Sequence, residues 1–173
     1  MGPGRGRGSR LVAATPADAA EIAALRNAAG EDLTRRFGKG HWSGAASEKG
    51  VRFDLRTSQV WVVRSRGRII ATLRLAARKP WAIDTSCFTP CVRPLYLTSM
   101  AVAPDRQRTG VGRRCLEQAI RLARDWPADA IRLDAYDAPA GAGEFYRKCG
   151  FREVGRRSYR GNPLVYFETP VPE

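Results

Sequence analysis

The sequence is poor in the residues that most often do chemistry on their own. His41 is the only histidine among 173 residues, and lysine occurs only at Lys39, Lys49, Lys79 and Lys148. Cys87 and Cys91 have the spacing of half a metal site, but no second pair or neighbouring histidine completes it, so no metal is expected. No Cys–His couple is evident, which leaves covalent thiol catalysis without support. No apolar run approaches the roughly 20 residues that cross a bilayer. The start, Met1-Gly2-Pro3-Gly4-Arg5-Gly6-Arg7, lacks the apolar core of a secretory signal and the hydroxyl residue of a myristoylation signal. No internal repeat is visible. The expectation is a cytoplasmic protein, off the membrane, with Cys87, Cys91, Cys115 and Cys149 reduced and structural.

Arginine is abundant instead. Thirty Lys and Arg against 17 Asp and Glu leave a net charge of +13. The arginines are scattered rather than striped along one element, as a compositional bias would leave them, yet their field still attracts polyanionic ligands. Residues 1–9 form a Gly/Arg-rich tail expected to be disordered. The tail is short and has no aromatic ring to stack on bases, so a nucleic-acid partner is not expected. The rest, 10–173, has the length of one domain with a sizeable core.

Local patterns predict alternating strands and helices. Leu11–Ala14 reads as a strand. Thr15-Pro16-Ala17-Asp18 opens a helix that runs to Asn27, with Thr15 as N-cap and Pro16 in the first turn. A second short helix is expected over Glu31–Phe37, then a flexible loop from Gly38 to Gly44, then a helix over Ser47–Arg56. Gln59–Ser65 and Arg68–Ala76 form a hairpin around Arg66-Gly67. A linker over 77–92 leads to a strand at Leu95–Val102. Further on come a helix over Val111–Asp125, a strand over Ala130–Ala135, a helix over Ala142–Lys148, and strands at Phe151–Arg157 and Leu164–Glu168. This order describes an α/β protein with a mixed sheet flanked by helices.

The chemistry concentrates where the strand ending Met100-Ala101-Val102 meets Gln107-Arg108-Thr109-Gly110-Val111-Gly112 and the following helix. Amides at a helix N-terminus are unpaired and lie at the positive end of its dipole. Gly110 and Gly112 remove side chains from the approach, and Arg108 and Arg113 add charge. The site suits a phosphate or pyrophosphate. It is not a Walker loop, because Gly-Lys-Ser/Thr is missing, and it lacks the third glycine of a dinucleotide fingerprint.

Gln107-x-x-Gly110-x-Gly112 resembles the acyl-CoA motif of the GNAT superfamily, and Met100 to Pro104 resembles its preceding strand ending. Glu144-Phe145-Tyr146-Arg147-Lys148-Cys149-Gly150-Phe151 is similar to the family's second motif, at fitting spacing. Together they span about 95–155. The resemblance implies a GNAT-like, mainly antiparallel central sheet flanked by helices, and acetyl-CoA as donor. By the same resemblance, Met100, Ala101 and Val102 would pair with pantetheine. The amides of Arg108, Thr109, Gly110, Val111, Gly112 and Arg113 would bind the pyrophosphate, with Gln107 and Lys148 alongside. The N–H of Val102 would face the oxyanion, and Tyr146 would protonate the departing thiolate. The asparagine usual before the last helix is absent, Pro139 standing in its place, and Asp137 is the candidate substitute.

The reaction implied is direct attack by an amine on the thioester, with both substrates bound together. Candidate carboxylate bases are Asp84, Asp134 and Asp137, with a water relay as the alternative. Trp42, Trp81, Asp84, Tyr96 and Thr98 are the candidate acceptor contacts. Asp84 or Glu31 would hold a cation, whereas nearby arginines would favour an acceptor with a carboxylate. The acceptor expected is a small amine or amino acid. The alternatives are a protein N-terminus or lysine, or a non-catalytic module binding acyl-CoA or RNA. A homodimer is compatible with the sequence.

Overall fold

A computed structural model describes residues 10–173. The expected disordered tail, 1–9, lies outside the described residues. Seven strands make one sheet: β1 (Leu11–Ala13), β2 (Gln59–Ser65), β3 (Arg68–Ala76), β4 (Pro94–Val102), β5 (Ala130–Tyr136), β6 (Arg152–Tyr159) and β7 (Asn162–Pro170). Their spatial order is β1-β2-β3-β4-β5-β7-β6, and only the β4–β5 pair is parallel. The mixed, mainly antiparallel sheet expected from the motifs is the sheet observed.

Four helices cover it: α1 (Ala19–Phe37), α2 (Glu48–Thr57), α3 (Val111–Asp125) and α4 (Gly143–Lys148). α3 and α4 pack on one face. There Leu73, Leu75, Leu95, Leu97, Ile131 and Leu133 meet Cys115, Leu116, Ala119 and Tyr146. On the opposite face, Ile22 and Leu25 of α1 and Val51 of α2 pack on Val60, Val62 and Ile69. Strand alternation produces this division, since successive side chains point to opposite faces.

The 77–92 linker is not a free loop. It covers the second half of that face, where Ile83 and Phe88 pack on Tyr96, Leu164 and Tyr166. The rings of Phe88 and Tyr166 stack at 5.4 Å. Tyr166 also receives the Asp84 N–H at 3.1 Å and donates to the Ala82 carbonyl.

Two predicted features of the first third are corrected. The helices expected at 16–27 and 31–37 are one helix of 19 residues, preceded by a 3-10 turn at Pro16–Asp18. Gly30 is tolerated inside it for a packing reason: a Cβ there would lie 2.6 Å from the Trp42 carbonyl oxygen. That contact also removes the expected looseness of Gly38–Gly44. Residues His41–Ser43 form a 3-10 turn, Trp42 Nε1 donates to the Gly38 carbonyl at 3.0 Å, and the Thr34 and Ser43 hydroxyls meet at 2.6 Å.

Candidate active site

β4 and β5 pair only at Pro94, Leu95 and Tyr96 against Ala130, Ile131 and Arg132. Beyond these residues the parallel ladder stops, and both strands continue without a partner across the gap. A bulge helps to open it. Thr72 faces Ala101 while Arg74 faces Thr98, so Leu73 opposes two residues, and Ser99 takes a positive φ of 52°. A bulge of this kind bends the strand and increases its twist.

Hydrogen-bond alternation then decides which way the end of β4 points. Ala103 N–H donates to the Ile70 carbonyl at 2.9 Å. In an antiparallel pair the neighbouring residue turns its polar groups the other way. Val102 therefore directs its N–H and C=O away from β3, into the gap. Its carbonyl accepts from Gln107 Nε2 at 3.1 Å, and its N–H is left facing the opening.

The loop that follows reaches α3 through left-handed backbone at Arg108 (φ 60°) and Gly110 (φ 83°). Glycine suits the second position because it adopts positive φ without steric cost. No side chain caps α3, whose first internal bond runs from Arg114 N–H to the Gly110 carbonyl at 3.1 Å. The amides of Val111, Gly112 and Arg113 thus lack intrahelical acceptors. Gly112 lines the cleft and also has a packing role. A Cβ there would lie 3.0 Å from Phe145 Cζ, so its absence lets α4 pack on α3.

A cleft of about 490 Å³ occupies this junction. Met100, Ala101, Val102, Gln107, Arg108, Gly110, Gly112, Arg113, Tyr146 and Lys148 are the predicted residues that line it. Ala29 and Leu33 of α1, with Ala140 and Ala142, line it without having been singled out in sequence, and so do Phe145 and Cys149, which stood in the second motif without a site role. α1 carried no motif to mark them, although spacing of i and i+4 places Ala29 and Leu33 on one helical face. Arg113 also donates to the Lys148 carbonyl at 2.9 Å, tying α3 to the end of α4.

Tyr146 is buried, at 6% exposure, yet among the described residues its hydroxyl has only the Met100 sulfur, 3.9 Å away, as a hydrogen-bond partner. Burial, then the negative charge of Asp134, pushes its pKa above the usual tyrosine value. The phenol therefore keeps its proton at physiological pH. Asp134 lies on β5 opposite Tyr166, and continuing the parallel register from Tyr96 and Arg132 places it across the gap from Thr98. Burial raises its carboxyl pKa as well. Among the described residues, no other residue donates a hydrogen bond to its carboxylate.

Val111 and Thr109 have only their amides to offer the loop: the Val111 side chain is core, at 4% exposure, and Thr109 turns its hydroxyl back to the Arg106 carbonyl at 2.6 Å. Other predicted residues lie elsewhere. Asp137 is not among the residues that line the cleft, and Arg156 engages its carboxylate at 2.9 Å. The turn after it is set by Gly141, where a Cβ would fall 1.8 Å from the Tyr136 carbonyl oxygen. Tyr96 is a core residue on the paired part of β4, 3% exposed, with its hydroxyl toward Arg132. Asp84 is not a free anion. It caps the Thr85–Cys87 turn and pairs with Arg157 at 3.1 Å, and these contacts hold its pKa at about 2. Trp81 is 81% exposed on the linker. Trp42 meets Tyr136 edge-on at 5.8 Å, joining the α1–α2 loop to the end of β5. Glu31 is exposed on α1. Thr98 sits beside the gap with its hydroxyl buried and unpartnered.

The four cysteines are free. Among the described residues, no three His, Cys, Asp or Glu side chains gather as a metal site would require.

A family model, Acetyltransferase (GNAT) family, matches residues 22–151, and the chain belongs to that family. It is an acyl-CoA-dependent N-acetyltransferase, and its donor is acetyl-CoA. No curated protein sequence matches the chain. Among solved structures, a GCN5-related N-acetyltransferase from Rhodopseudomonas palustris is 21% identical, with a TM-score of 0.70 over 94% of this chain and 95% of that one. A ribosomal-protein-alanine N-acetyltransferase from Brucella melitensis is 17% identical, with a TM-score of 0.69 over 93% and 99%. The protein yncA from Salmonella typhimurium, solved with its cofactor acetyl-CoA, is 17% identical, with a TM-score of 0.67 over 95% and 94%. At these identities the likeness is one of fold.

Proposed function

We propose that the chain acetylates the primary amine of a small molecule, an amine or an amino acid, by direct attack with both substrates bound. The observation that carries this reading is the opening between β4 and β5. A backbone donor (Val102 N–H), a proton-bearing phenol (Tyr146) and a carboxylate to which no other described residue donates (Asp134) stand around it.

The donor set fits acetyl-CoA. The free edge of β4 suits an added extended chain such as pantetheine. The unpaired amides of α3, with Arg108, Arg113 and Lys148, suit a pyrophosphate. Bound there, the thioester supplies an activated acetyl group and a thiol leaving group. Asp134 takes the proton that the amine must lose, and its raised pKa makes it a better base than an exposed aspartate. Val102 N–H would face the thioester carbonyl oxygen, where negative charge develops. Tyr146 would deliver a proton to the sulfur. Trp42 and Tyr136 wall the acceptor side.

A protein N-terminus is the alternative acceptor, supported by the named activity of the Brucella melitensis protein. No described helix is long and apolar enough to cross a membrane, and a cytoplasmic location belongs to the same proposal. The test is an acceptor screen that reads released CoA thiol with small amines, amino acids and peptides. Release with small acceptors and none with peptides is expected, and the reverse pattern overturns the reading.

A further inference from the structure

Among the described residues, three polar atoms between α1 and the sheet are buried without a partner: Arg26 Nε, Arg26 Nη2 and Thr98 Oγ1. Native proteins rarely leave such groups unpaired, and a bound ion or water or a catalytic role is the usual reason. Their location adjoins the cleft. Arg26 is three and seven residues before Ala29 and Leu33, on the same face of α1, and those two line the cleft. Thr98 is two residues before Met100, another lining residue.

Arg74 lies directly across from Thr98 on β3. Both guanidiniums share one carboxylate: Arg26 Nη1 reaches Asp54 Oδ2 at 3.0 Å, and Arg74 Nη1 reaches Asp54 Oδ1 at 3.3 Å. Arg74 Nε donates to Ser58 Oγ at 2.6 Å. The Arg26 and Arg74 side chains are 14% and 25% exposed. Two positive charges thus face one negative charge in a largely desolvated place, where an excess charge calls for a counter-ion. Arginine forks match a carboxylate better than a point charge does.

We infer that Arg26, Arg74 and Thr98 bind a carboxylate carried by the acceptor, so that the acceptor class is an amino acid or another small amine with a nearby carboxylate. This rests on the acetyl-transfer reading proposed above. Asp134 stands across the gap from Thr98, so the amine end lies toward β5 and the acid end toward β3 and α1. A protein N-terminus would present an amide where the carboxylate belongs and leave the positive charge unanswered, which disfavours it.

The test uses the full chain with acetyl-CoA and the common amino acids, each beside its amide and its decarboxylated amine, reading released CoA thiol. Acetyl-CoA-induced thermal shifts are recorded in parallel. The wild type should favour the best acid over its amide by about 100-fold in kcat/KM, the weight of a hydrogen bond to a charged group. Arg74→Gln should bring that ratio near one. Thr98→Val, which keeps the side chain's shape, should lower it by about tenfold. The acetyl-CoA shift should persist in both variants. Equal turnover of acid and amide by the wild type overturns the inference. So does a ratio unchanged in both variants, or a protein that binds acetyl-CoA and turns over no acid. Absence of any acetyl-CoA shift in the wild type instead removes the transfer reading beneath it.

Discussion

Gln107 holds the carbonyl of Val102. Its side-chain amide donates across five residues at 3.1 Å, which pins the end of β4 against the loop leading to α3. The glutamine of the sequence motif therefore acts through its side chain on the strand, beside whatever its backbone offers a phosphate. Gln107→Ala should leave the fold intact, because the residue is not in the core, and should lower kcat/KM by about tenfold, the weight of one hydrogen bond. Steady-state kinetics at saturating acetyl-CoA would check it.

Tyr146→Phe keeps the ring that packs in the core beside Phe151 and Phe167 and removes only a hydroxyl with one weak partner. Melting temperature should change little, and kcat should fall by about 100-fold or more, with the Kd for acetyl-CoA nearly constant. Rapid-quench measurement of the chemical step, with cofactor titration, separates these quantities.

Asp134→Asn should move activity and stability in opposite directions. Burial raises the carboxyl pKa of the native state, so between the unfolded and folded pKa values the native protein binds more protons than the unfolded chain. Stability from this group is then lost as pH rises through that window. The asparagine variant should melt no lower than wild type at pH 7 and lose the part of the pH dependence due to Asp134. Its kcat should drop by about 100-fold, and the acidic limb of the kcat/KM profile should disappear. Thermal melts from pH 4 to 8 and a pH–rate profile test both halves.

Gly112→Ala places a methyl group 3.0 Å from the Phe145 ring and should push α4 from α3. A cost of about 1–3 kcal/mol is expected, typical of overpacking, together with a raised KM for acetyl-CoA. Chemical denaturation and initial rates would show it.

Much of the fold was legible because its signals are local. The hairpin around Arg66-Gly67, the strand–loop–helix through Gly110 and the Phe145-Tyr146 segment each carry their pattern within a few residues. The start and end of α3 fall at Val111 and Asp125, as expected. What the sequence concealed depends on distant contacts. The break expected between Asn27 and Glu31 does not occur, and the contact that Gly30 makes there, with the Trp42 carbonyl, is a loop away in sequence. The Arg26–Asp54–Arg74 cluster draws on two helices and a strand, and each residue alone reads as an ordinary surface charge. Asp84 and Asp134 were indistinguishable as candidate bases. The structure separates them by giving Asp84 an arginine and leaving Asp134 without another residue as donor.

The most direct test of acetyl transfer at this site is to count products. Purified chain, acetyl-CoA and a panel of small amines and amino acids are incubated at neutral pH. CoA thiol is read by a chromogenic reagent, and acetylated acceptor by mass spectrometry. The account predicts one acetylated amine per thiol released, with release dependent on acceptor and about 100-fold slower in Tyr146→Phe. Thiol release without an acetylated product, or none with any acceptor although acetyl-CoA raises the melting temperature, would contradict it.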